Sequence, residues 1–142
     1  MRSAREIDVS AVTRGREDRL RICLVHSGRV AREVLARALA TRLGAEVDTC
    51  CCCEDVLAQP LNYDAFVVYN NFRRRMNGIR CVAEIRTRKP SALIVGVSTA
   101  PGTARRFPQA GADAYVLRSG NEVKELVEIL RREEGKRRKT TQ

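Results

Sequence analysis

Ala65-Phe66-Val67-Val68-Tyr69 is the stretch that leaves this chain the fewest choices of fold. It carries no charge and presents no polar helical face, so it reads as a strand covered on both sides, as in a parallel sheet. The run stops at Asn70-Asn71, and Arg73, Arg74 and Arg75 follow before Gly78. In open α/β sheets ligands and chemistry collect outside the carboxyl ends of the strands, which directs attention to Asn70 and the loop to Gly78. Asn70-Asn71 also suits a plain chain turn, because Asn tolerates turn and left-handed geometry.

The remainder of the chain supplies partners for such a strand. Leu20 to His26 is a short apolar run suited to a central strand, and Gly28 opens a helix with Val30, Ala31, Val34, Leu35, Ala38 and Leu39 at spacings of three and four. Gly44 is placed to end that helix. Ala45 to Cys50 reads as a second strand and Glu54 to Ala58 as a brief helix stopped by Pro60. After the strand at Ala65, a helix runs from Gly78 to Lys89 and closes before Pro90. Ala92 to Val97 is strand four, Ala100 to Ala110 a poor helix interrupted by Pro101, Gly102 and Pro108, and Ala114 to Leu117 strand five. The last helix sets Val123, Leu126, Val127 and Leu130 on one face, with Glu122 and Glu125 early and Arg131 and Arg132 late, as the helix dipole favours. Strand and helix alternate five times, which predicts a parallel sheet with helices on both faces and right-handed crossovers.

Composition bounds what that sheet can do. At 142 residues and 44% hydrophobic content the chain is one domain with a real core. Residues 1–19 mix charged and small polar types without periodicity and read as a flexible lead-in, residues 20–135 as the folded domain, and residues 136–142 as a flexible basic tail. No run approaches a membrane span and no apolar signal core opens the chain, so the expected compartment is the cytoplasm. Of six cysteines, four are consecutive, Cys50 to Cys53, and are read as reduced thiols. Alternate strand side chains point to opposite faces, so four in a row do not readily surround one zinc, and no metal or cofactor is expected. The net charge of +10 makes acidic proteins or nucleic acid plausible partners, the latter through Lys136, Arg137, Arg138 and Lys139. With few Tyr and Phe and no Trp, a stacking platform for single-stranded bases is not expected.

The order of elements, the Met76-Asn77-Gly78 loop beyond strand three, and Gly111-Ala112-Asp113-Ala114-Tyr115-Val116-Leu117-Arg118 at strand five resemble the receiver domain of response regulators over residues 20 to 120 and on through the last helix. The resemblance implies a flavodoxin-like (βα)5 three-layer sandwich with strand order 2-1-3-4-5. Phosphate-accepting receivers carry two acids after strand one, an aspartate at the end of strand three, a Ser or Thr after strand four and a Lys after strand five. The matched positions here are His26 and Ser27, Asn70, Ser98, and Arg118. Ser98 keeps the pattern, Arg118 keeps only the charge, and no carboxylate remains to hold Mg²⁺ or become an acyl phosphate.

The chain thus looks like a pseudo-receiver, a phosphorylation-independent signalling module that binds another protein. The face made by the fourth helix, strand five and the fifth helix is the expected surface, for a partner or for a second copy in a homodimer. His26 reads as a neutral replacement for a lost acid, and Ser98 lacks a GxSxG elbow, so an enzyme is not expected. Arg73, Arg74, Arg75 and Arg118 suggest a cationic rim able to dock an acidic segment or a phosphate-bearing ligand, although a run of charge is also what a solvated loop looks like. Nucleic-acid binding through the Arg-rich surface and basic tail is the alternative.

Overall fold

The computed structural model describes residues 19–70 and 76–141, with side chains as far as residue 136. Apolar runs become strands and amphipathic runs become helices in strict alternation: β1 (Arg21–Val25), α1 (Arg29–Leu43), β2 (Glu46–Cys50), α2 (Cys53–Leu57), β3 (Ala65–Tyr69), α3 (Gly78–Arg88), β4 (Leu93–Ser98), α4 (Pro101–Ala104), α5 (Arg106–Ala110), β5 (Ala114–Leu117) and α6 (Glu122–Thr141). All strand pairings are parallel and the order is β2-β1-β3-β4-β5.

β3 is buried at every position and lies between β1 and β4, as its lack of any polar face requires. Its side chains alternate between two cores. Ala65, Val67 and Tyr69 join Leu24, Leu39, Val95, Leu126 and Leu130 under α1 and α6, whereas Phe66 and Val68 join Cys23, Val82, Ile85, Ile94 and Phe107 under α3 and α5. The sheet is therefore the middle of three layers.

Local chemistry sets the corners. Gly44 ends α1 with a left-handed φ of 64°, which turns its N–H onto the Ala40 carbonyl. Asn77 caps α3 by accepting from the Arg80 N–H at 2.9 Å. Asp113 ties the loop before β5 to β4, accepting from the Ile94 N–H at 2.8 Å and from the Arg86 guanidinium at 2.8 Å. Gly96 leaves the room that the Phe107 ring fills, so a Cβ there would overlap the ring.

One expectation is corrected. Cys53 is not a free thiol: it forms a disulfide with Cys81 across a Cα–Cα distance of 5.6 Å, joining α2 to α3. Cys23, Cys50, Cys51 and Cys52 are free. The segment Ala100 to Ala110 forms two short helices, because Pro101 suits a first-turn position and a second turn begins at Arg106. The last helix continues past Gly135 to Thr141, so the backbone of the basic segment is helical. The lead-in proposed for residues 1–19 lies, apart from Arg19, outside the described residues. Among the described residues no helix is long and apolar enough to cross a membrane.

Candidate functional site

Parallel strands bring four of the sequence-selected side chains to one end of the sheet. His26 follows β1, Asn70 follows β3, Ser98 ends β4 and Arg118 follows β5.

His26 is buried. Its N–H donates to the Cys50 carbonyl at 3.0 Å, continuing the β1–β2 ladder by one residue. The ring nitrogen Nδ1 accepts from the Gly28 N–H at 2.9 Å, and the His26 carbonyl accepts from Arg32 Nη1 at 3.0 Å. The ring leans on Tyr69 with centroids 4.5 Å apart. Burial, then the positive charges of Arg118 and Arg32, lower its pKa, and Glu122 offsets them in part. Acceptance at Nδ1 and the lowered pKa both favour the uncharged imidazole. Ser27 beside it is exposed.

Asn70 does structural work. Its Oδ1 accepts from the Gly78 N–H at 2.8 Å, and its own N–H donates to the Val97 carbonyl at 2.8 Å. The carboxamide thus satisfies one of the free donors at the start of α3. A Cβ on Gly78 would stand 3.0 Å from the Asn70 Cα and Oδ1, so the glycine permits this approach. Ser98 is buried, and its Oγ accepts from the Ala100 N–H at 3.2 Å.

Arg118 turns toward the sheet. Its guanidinium lies 5.7 Å from the Tyr69 ring centroid, and its Nε is 3.5 Å from Glu122 Oε2. Glu122 also accepts from the Gly120 N–H at 3.0 Å through Oε1. The β5–α6 corner is therefore closed by its own charge pair. Arg73, Arg74 and Arg75 lie outside the described residues, so only the Arg118 part of the expected rim is placed.

Three residues that matter here escaped sequence reasoning. Tyr69 looked like one more core aromatic, yet it carries both the His26 and Arg118 contacts, and its hydroxyl is buried without a hydrogen-bond partner among the described residues. Burial pushes its pKa up, the Glu122 charge adds to that, and Arg118 opposes it. Glu122 looked like a dipole-matched helix residue, and the i,i+4 spacing to Arg118 was the available signal. Glu54 accepts from the Met76 N–H at 3.2 Å through Oε2, so α2 braces the far end of the loop after β3.

A divalent magnesium ion asks for several oxygen donors, usually including carboxylates. Here the matched positions offer a ring nitrogen already accepting from Gly28, a serine hydroxyl and an amide oxygen already accepting from Gly78, with a guanidinium nearby. This donor set does not fit Mg²⁺, and no step through the metal follows.

Five parallel strands in this order, with the surviving residues collected at the carboxyl end, define a flavodoxin-like α/β domain of the receiver type. Solved structures similar to it include response regulators and receiver domains. The receiver (CheY-like) protein of Methanospirillum hungatei is 19% identical with a TM-score of 0.76, covering 86% of this chain and 98% of that one. The Thermotoga maritima OmpR/PhoB homolog DrrB is 18% identical with a TM-score of 0.71 over 80% of this chain, which spans 52% of that protein's length. The T. maritima response regulator TrrA, solved with Mg²⁺ and BeF, is 30% identical with a TM-score of 0.68, covering 78% of this chain and 98% of that one. On that identity and coverage the chain belongs to the response-regulator receiver family. No family model matches the sequence, and no curated protein matches it.

Proposed function

We propose that this chain is a phosphorylation-independent receiver, a regulatory module that acts by binding another protein and catalyses no reaction of its own. The observation that carries this reading is the chemistry at the matched positions. Asn70 replaces the phosphate-accepting aspartate with an amide that holds Gly78, and His26 and Ser27 replace the acids that would hold the metal. An amide oxygen is not a competent nucleophile for phosphoryl transfer, and a buried imidazole whose Nδ1 already accepts from Gly28 is a poor substitute for the oxygen ligands that Mg²⁺ takes.

A binding role draws support from the far edge of the sheet. Tyr115 and Leu117 on β5 are 41% and 38% exposed, a pair of large apolar side chains on the face shared by α5, β5 and α6. Aromatic and aliphatic groups of this kind anchor protein interfaces. This is the surface proposed for the partner, or for a second copy of the chain. The receiver-like fold supports the reading of a signalling module, and no observation among the described residues favours the nucleic-acid alternative.

The reading is tested by incubating the protein with acetyl phosphate, or with beryllofluoride and Mg²⁺, and following intact mass and amide NMR. Unchanged mass and spectra are expected; a stable phosphoryl adduct, or shifts centred on Asn70, would refute it. Sedimentation of the same samples with and without Leu117→Asp tests the binding face. Self-association or partner capture that survives the substitution moves the interface elsewhere.

A further inference from the structure

The cysteine run does not behave as an extended strand throughout. β2 ends at Cys50, Cys51 and Cys52 form a bend, and α2 starts at Cys53, so the face-to-face alternation that would separate neighbouring thiols stops after Cys50. Cys51 Sγ and Cys52 Sγ come to 3.8 Å from each other, and the first turn of α2 brings Asp55 Oδ2 to 3.1 Å from Cys51 Sγ. The three ligand atoms all lie within 4.8 Å of one another.

We propose that Cys51, Cys52 and Asp55 form a binding site for a thiophilic divalent cation of the zinc class. A tetrahedral Zn²⁺ with sulfur at about 2.3 Å and carboxylate oxygen at about 2.0 Å sets its sulfurs about 3.8 Å apart and sulfur and oxygen about 3.5 Å apart. The thiol pair already has that separation, the carboxylate has to withdraw from Cys51 by a few tenths of an ångström, and it stands within 4.8 Å of Cys52 Sγ, close enough to complete the set by a small rotation of the Asp55 side chain. The remaining cysteines are held elsewhere. Cys53 is bound to Cys81, and Cys50 Sγ accepts from Gln59 Nε2 at 3.2 Å. The protein therefore supplies three ligands, and a solvent molecule completes the tetrahedron on the outer side, where Asp55 is exposed while Cys52 is only 1% exposed.

The donor set selects the ion. Two thiolates disfavour Mg²⁺ and Ca²⁺, which take oxygen, and the carboxylate disfavours monovalent copper, which prefers sulfur throughout. On binding, each thiol gives its proton to buffer as its sulfur takes the metal, so two protons leave per ion and nothing is oxidised or reduced. The ion would fix the β2–α2 corner directly beside Glu54, the residue that holds the Met76 N–H.

The test uses the full chain with the Cys53–Cys81 disulfide intact, confirmed by mass after alkylation of the free thiols. Titration with Co²⁺ should give one ion per chain with sulfur-to-cobalt charge-transfer absorption, displaced by Zn²⁺, and calorimetry in two buffers should report two protons released per Zn²⁺. Cys51→Ser should diminish that absorption and weaken Zn²⁺ binding at least about 10-fold. Asp55→Asn should keep the absorption and still weaken binding at least about 10-fold, and as a half-turn surface change it carries the test if the cysteine variant fails to fold. Absence of cobalt–thiolate absorption, full absorption in Cys51→Ser, unchanged affinity in Asp55→Asn, or binding that appears only after the disulfide is reduced would each overturn the proposal.

Discussion

His26, the single histidine of the chain, sits buried at the carboxyl edge of the sheet. Its ring lies against Tyr69 and accepts at Nδ1 from the Gly28 N–H. Because burial, Arg118 and Arg32 hold its pKa below the ordinary value of 6.5, the unfolded chain takes up a proton first on acidification. Stability should therefore fall as pH drops below about 6.5 and stop falling once the folded-state pKa is passed. Urea denaturation from neutral to mildly acid pH would show this slope, and His26→Gln should flatten it; an equal slope in the variant would mean that the imidazole is not held neutral. Asn70 was legible from its place at the end of an uncharged run, because a parallel sheet delivers strand ends to one edge, whereas Ser98 and Arg118 were singled out only through the resemblance to receivers. Tyr69 and Glu122 were not, since their roles depend on distances across β1, β3 and β5 that no local spacing records.

At the scale of elements, β3 and β5 were readable to the residue, as an uncharged run and a short apolar segment flanked by Gly111, Asp113 and Gly120 leave little latitude. The helix between β4 and β5 was readable only as weak, and it divides into α4 and α5. The Cys53–Cys81 bond was invisible, because the two residues are 28 apart and meet only after α2 and α3 pack side by side. Closing a loop of that length restricts the unfolded chain by roughly 3–4 kcal/mol on the loop-entropy estimate. Mild reduction should therefore lower the melting temperature by several degrees, checked by circular dichroism with and without reductant. An unchanged melting temperature after verified reduction would show that α2 and α3 hold each other without the bond.

For the whole molecule, a parallel sheet with helices on both faces followed from the alternation and the uncharged β3, whereas the strand order β2-β1-β3-β4-β5 was expected only from the resemblance to receivers. The end of α6 did not follow, since four adjacent basic residues after Gly135 looked incompatible with regular structure. Among the described side chains of α6, the last fully buried one is Leu130, and from Arg131 to Lys136 they are exposed or partly so. Truncation after Lys136 should leave the melting temperature nearly unchanged, and a fall of several degrees would mean that the final turn packs on the domain. The disulfide also has a mechanical consequence. β3, the strand in the middle of the sheet, lies inside the ring that Cys53 and Cys81 close. When the chain is drawn out by its ends, as at the mouth of an unfolding motor, the flanking strands can be peeled away but the 28-residue interval between the two cysteines stays shut, withholding about 100 Å of contour length. The motor then has to pass a doubled chain at that point, and only a reductant restores a single thread.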